Sequence, residues 1–178
     1  MRAEIMDTVY LDIETTGLCP EQDKIVDIAL IYDDGDILFE SLVNPSQKIP
    51  KNITAINGVR DDDVAYAPLL EEVIEELEEV CEGKHLVIYN AAFDMSFLPS
   101  LQPANISCAM HAFAEFFNKG GEKSWHRLIV AAHALDYDWG DDVGHRALAH
   151  ARACRHVWRA LPEASRIHAK LPLGFPEL

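Results

Sequence analysis

The sequence predicts an α/β domain, a mixed five-stranded sheet flanked by helices on both faces. Three observations carry this. Apolar runs of strand length recur at 8–11, 24–32, 37–43, 84–89 and around 106–108. The first three follow one another through turn signals, as an antiparallel meander does. The later ones alternate with stretches of helical period, which places helices on both sides of a mixed sheet.

Taken in order, Thr8 to Leu11 is a buried strand and 24–32 (KIVDIALIY) a second one. Asp33-Asp34-Gly35-Asp36 is a hairpin turn, so 37–43 pairs back on its predecessor. Ile53 to Gly58 forms one short helical turn ended by the glycine. From Pro68 to Cys81, Leu69, Leu70, Val73, Ile74, Leu77 and Val80 share one helical face and the glutamates the other, solvated one. The strand 84–89 delivers Asn90-Ala91-Ala92-Phe93-Asp94, which opens the next helix. A short strand around 106–108 and a helix to 117 follow, and 118–123 is a loop containing Lys119 and Lys123. Ser124 is placed to cap a helix running through Leu135. An acidic loop, 136–144, leads to a final helix from His145 to Leu161. Residues 1–161 then form the domain, and 162–178, with three prolines, a loosely packed extension.

The 178 residues suffice for one full core, and 49% hydrophobic content excludes a disordered chain. No apolar run is long enough to span a membrane, and Met1 to Glu4 does not begin a signal peptide. Cys19, Cys81, Cys108 and Cys154 are scattered, which fits neither a zinc cluster nor a disulfide framework and suits a reducing cytoplasm. The formal charge of −15 argues against broad attraction to nucleic acid. It leaves room for a nucleic-acid enzyme with local, metal-mediated phosphate contacts, whose binding would be weak and sharply weakened by salt.

The chemistry centres on Asp12 and Glu14, at the end of the first strand. Side chains two apart on a strand share a face, so the carboxylates project together. Each raises the other's pKa unless a cation lies between them, and a hard divalent ion such as Mg²⁺ suits carboxylate oxygens. Alone, this pair reads more readily as two ordinary surface acids on a solvated strand end. Further ligands decide, and Asp94, near the end of another core strand, is placed to approach Asp12.

Asp12-x-Glu14, Asn90-x-x-Phe93-Asp94 and Gly144-His145-Arg146-Ala147-Leu148-Ala149-His150 occur in order. Together they resemble the three motifs of the DEDDh (DnaQ-like) family of 3′–5′ exonucleases, which have a ribonuclease H-like fold. The resemblance implies a phosphodiester hydrolase using two divalent ions, Mg²⁺ or Mn²⁺, about 4 Å apart. By this resemblance Asp12 bridges both ions, Glu14 supports one and Asp94 holds the second. His145 is the general base, as a group that titrates near neutrality. Thr15, Thr16 and Gly17 offer groups to the terminal nucleotide. Leu18 and Ile56 pack on its base, with Asn57 beside it. Phe93 either stacks on a base or belongs to the core, and Arg146 reaches a phosphate.

The chain departs from the family pattern at one position. The family has an aspartate five residues after the histidine, and this chain has His150. Three readings stay open: His150 ligates metal through a neutral nitrogen and shifts preference towards Mn²⁺; the site is attenuated or inactive; or Asp138, Asp141 or Asp142 replaces the lost ligand. The implied function is removal of nucleoside 5′-monophosphates from single-stranded or frayed 3′ ends, DNA favoured over RNA. The implied form is a monomer or homodimer, alone or within a larger nucleic-acid-processing complex. The rivals are a non-catalytic nucleic-acid-binding or partner-docking module and a small acidic metalloprotein acting on free nucleotides or very short oligonucleotides.

Overall fold

The computed structural model describes residues 7–118, 124–140, 146–167 and 169–171. The meander forms as expected from β1 (Thr8–Thr15), β2 (Ile25–Tyr32) and β3 (Ile37–Leu42), antiparallel in sequence. The chain then runs through α1 (Lys51–Asn57), α2 (Asp61–Val64) and α3 (Leu70–Cys81). Next come β4 (His85–Ile88), α4 (Ala91–Phe97), β5 (Asn105–Cys108) and α5 (Ala109–Asn118). It finishes with α6 (Leu128–Ala134), α7 (Ala147–Ala160), α8 (Glu163–Ile167) and β6 (Lys170–Leu171).

The sheet has six strands, not five, in the order β3-β2-β1-β4-β5-β6. β1, β4 and β5 are parallel, so β1 lies at the centre with an antiparallel partner on one side and a parallel one on the other. The sixth strand comes from the stretch expected to be a loose tail. Two residues cannot show a period, and pairing with Ile106 and Ser107 of β5 makes them a strand. α8 precedes it, and Ala169 is buried, so the chain packs on the domain as far as Leu171.

Alternation along the strands separates two cores. Val9, Leu11, Ile13, Leu86 and Ile88 pack with Val73 and Leu77 of α3 and Met95 of α4. Tyr10, Ile31 and Val87 pack on the opposite face with α5, α6 and α7. In α7 the sheet-facing residues are small at first, Ala147, Ala151 and Cys154, then large at Val157 and Trp158. Small side chains bring the start of α7 close to the sheet, just where β1 ends.

Three further expectations need correction. α1 begins at Lys51 and has two turns, although Gly58 does end it, in the left-handed conformation at φ 73°. Ser124 caps no helix: α6 begins four residues later at Leu128, and the Ser124 hydroxyl bonds Asn118 and His126 instead. α2, whose first turn is Asp61-Asp62-Asp63, lacks an apolar period and was not foreseen. His145, Lys119, Lys123, Asp141 and Asp142 lie outside the described residues.

Candidate metal centre

The alternation that buries Leu11 and Ile13 against α3 and α4 turns Asp12 and Glu14 towards α7. Regular pairing with β2 shifts between Glu14 and Thr15. Such irregularities re-aim side chains beside a site. His150, in the first turns of α7, points its Nδ1 at both acids, 3.1 Å from Glu14 Oε1 and 3.5 Å from Asp12 Oδ2. Those two oxygens are buried and complete no hydrogen bond. The imidazole is therefore a close electrostatic neighbour of both. Trp139 meets the His150 ring edge-on, 6.1 Å between centroids.

Asp94 arrives from the first turn of α4, directly after β4, the parallel neighbour of β1. It is buried and interacts electrostatically with Asp12 and Glu14. The charges show the cost of crowding. Asp12 is raised to about 7 in all: burial acts most strongly, the His150 contact opposes it, and Glu14 and Asp27 push the same way as burial. Burial also raises Asp94 well above the usual carboxylate range, reinforced by repulsion from Asp12 and opposed by backbone hydrogen bonds at Ile13 and Asp94. At His150 burial acts downward, but contact with Asp12 and Glu14 outweighs it and lifts the imidazole to about 10.

One ligand atom each from Asp12, Glu14 and His150 lies within 4.8 Å of the others. Two buried carboxylate oxygens without hydrogen bonds, an imidazole nitrogen and a nearby third carboxylate form a donor set that fits a divalent cation.

The remaining expected residues divide sharply. Leu18 and Ile56 are 82% and 55% exposed, open for contact with another molecule. Phe93 is half-buried against Phe97. The polar residues serve the fold. The Thr15 hydroxyl donates to the Gly17 carbonyl. The Thr16 hydroxyl donates to Asp23 and accepts from Lys24 N–H and the Gln47 amide. Gly17 is required by close approach, because a Cβ there would stand 2.3 Å from the Asp23 carboxylate. Asn57 is buried, donates to Thr15 O and accepts from Val59 N–H. Arg146 has its Nε committed to Asp27 at 2.6 Å, with 43% of the side chain exposed. Asp138 accepts from Gly140 N–H in an exposed turn, away from a ligand role.

Asp27 is the residue the sequence reading missed. It pairs with Glu14 across the β1–β2 ladder and accepts from Arg146 and from Ala147 N–H. Its signal was a lone acid inside the apolar run of β2.

The family model RNase_T, described as Exonuclease, matches residues 9–154. An "Uncharacterized exonuclease CP81" of Escherichia phage 186 is 33% identical over 174 residues, covering 87% of this chain and 88% of that protein. The DNA polymerase III subunit epsilon of Treponema pallidum is 30% identical over 160 residues, covering 84% of this chain and 74% of that one. Among solved structures, exonuclease X in complex with 5′ overhanging duplex DNA superposes with a TM-score of 0.65 at 27% identity, covering 85% and 88%. Exonuclease I shares the fold, with a TM-score of 0.72 at 13% identity over 92% of this chain and 43% of that one.

Proposed function

From this chain's membership of the exonuclease family, which the match over 9–154 establishes, we propose that it is a metal-dependent 3′–5′ exonuclease. It would release nucleoside 5′-monophosphates from single-stranded or frayed 3′ ends, with DNA favoured over RNA. The observation that carries this reading is the pair of buried, unpartnered oxygens on Asp12 and Glu14, with Asp94 behind them and His150 in front.

Asp12, Glu14 and His150 would hold one divalent ion, and Asp94, with Asp12, a second. When bound, the ions supply an activated water and stabilise the departing 3′ oxygen. The chain's own residues do the rest. Burial of Asp12 and Asp94 keeps competing water from their carboxylates. Leu18 and Ile56 offer apolar surface to the terminal base. His145 takes the proton from the attacking water. With nitrogen instead of oxygen at 150, the site favours Mn²⁺ over Mg²⁺.

A second reading is a nucleic-acid-binding module that cuts poorly or not at all. It is favoured by His150 Nδ1 lying between the two carboxylates, where a protonated imidazole replaces a metal charge. One assay separates the two. A 5′-labelled single strand is incubated with the protein and with His150→Asp, in Mg²⁺ and in Mn²⁺. The exonuclease reading expects a ladder shortening from the 3′ end, stronger in Mn²⁺ for the unaltered protein and equalised in Mg²⁺ by His150→Asp. Digestion by His150→Asp alone supports the binding module. No digestion by either protein in either metal contradicts exonuclease activity.

A further inference from the structure

The groove beside the site has a composition at odds with the rest of this acidic chain. It holds about 300 Å³ and is lined by Tyr89, Asn90, Met110, Trp125, His126, Arg127 and Leu128. Among the described residues that line it there is no carboxylate, and Arg127 is the one formally charged group. A second depression, of about 340 Å³ around Lys48, Lys51 and Arg60, carries Asp61 and Asp62 among its walls, and Asp61 pairs with Lys48.

The groove is built rather than incidental. The Tyr89 hydroxyl, at the end of β4, donates to the His126 carbonyl at 2.7 Å. The His126 ring meets Phe113 and Phe117 edge-on and contacts the Ser124 hydroxyl at 3.0 Å. With His126 pinned inward, its neighbours Trp125 and Arg127 are exposed. One face of Trp125 lies against His111, 4.7 Å between centroids at 31°, while the side chain as a whole is 53% exposed. Arg127 makes no ion pair among the described residues. The opposite wall is Asn90, whose carbonyl accepts the N–H of Asp94 at 3.3 Å. One residue of the groove wall is thus hydrogen-bonded through the backbone to the residue that carries a metal-centre carboxylate.

A half-exposed indole supported by His111, beside a guanidinium without an ion pair and with no acid among the described lining residues, suits a base and its phosphate. We propose that this groove holds an internal nucleotide of a single-stranded substrate, its base stacked on Trp125 and its phosphate at Arg127, on the 5′ side of the bond to be cut. The placement relative to that bond rests on the exonuclease reading. The binding itself does not.

The test uses fluorescence anisotropy of a labelled oligothymidylate of about eight nucleotides, with EDTA present so that nothing is cut. Trp125→Ala should weaken binding about tenfold and Trp125→Phe should recover most of it. Arg127→Ala should weaken binding and lower the slope of log affinity against log salt by about 0.7. A parallel assay follows hydrolysis of the p-nitrophenyl ester of thymidine 5′-monophosphate in Mn²⁺, which cannot reach the groove. Trp125→Ala should cut that ester at the unaltered rate while losing kcat/KM on the oligonucleotide. Unaltered oligonucleotide affinity in Trp125→Ala overturns the proposal. If the ester and the oligonucleotide both resist hydrolysis, the exonuclease reading fails, and the anisotropy still decides whether the groove binds a strand.

Discussion

Asp12 and Asp27 lie on neighbouring strands of the same sheet face, both buried, and fare in opposite ways. Asp27 is met by the Arg146 guanidinium at 2.6 Å and by Ala147 N–H, so the protein supplies its countercharge and ties α7 to β2. Asp12 has no such fixed countercharge among the described residues, and it shares the nearby His150 with Glu14. A buried carboxylate answered from within serves the fold. One left partly unanswered suits a cation from outside, as the proposed metal site requires.

The largest expected effect follows from removing the unanswered member. Asp12→Asn should lower exonuclease activity about 10³-fold, the loss of several kcal/mol of metal-borne stabilisation. It should leave the metal-free fold as stable as before or more so, because a crowded charge disappears. Stopped digestion assays and denaturant unfolding check the two halves. Retained activity would dissolve the contrast between the acids.

Removing the answered member should do the reverse. Asp27→Asn should cost about 2 kcal/mol of stability in denaturant unfolding, since it removes the countercharge of Arg146 and leaves only a neutral amide oxygen to accept. The half-exposed Arg146 keeps that figure below the value for a fully buried pair. Activity should fall less than in Asp12→Asn, and only through the placing of α7.

The third expectation concerns pH without metal. Asp12 has a folded pKa above its unfolded value, so its contribution is full below about 4 and fades as pH rises through about 7. His150 is raised as well, so its contribution is full below about 6.5 and fades as pH rises through about 10. Both predict a melting temperature that declines from mildly acidic to alkaline pH, and Asp12→Asn should flatten the decline. A stability that rises over that range would contradict the crowded-acid picture.

The smallest effect lies across the sheet. Burial lowers the His85 pKa, with Lys170 adding to it, and the ring bonds Ser107 at 2.8 Å. A lowered histidine contributes above its unfolded pKa of about 6.5 and loses that contribution as pH falls. Melting temperature should therefore also sag slightly below pH 6.5, and His85→Gln should remove that arm alone.

The parts of this architecture legible in the sequence were the local ones. The Asp12–Glu14 spacing, the apolar stripe of α3 and the Gly58 stop each depend on a few neighbouring residues. His150 was visible as a departure from a motif, although its position against both acids needed the docking of α7. What escaped depended on distance along the chain. The Asp27–Arg146 pair spans 119 residues, and β6 is a strand only because β5 is beside it. The internal hydrogen bonds of Thr15, Thr16 and Asn57 were not legible, because a sequence does not show which internal partners a polar group will find. Of the residues expected at the substrate, the exposed Leu18 and Ile56 kept their apolar surface open, since no internal hydrogen bond competes for it.

The most direct test of the central claim is a calorimetric titration of Mn²⁺ into the metal-free protein, run beside Asp12→Asn and Asp27→Asn. The account predicts saturable binding in the unaltered protein, retained in Asp27→Asn and lost in Asp12→Asn. Binding that survives Asp12→Asn unchanged, or no binding to the unaltered protein, would contradict it.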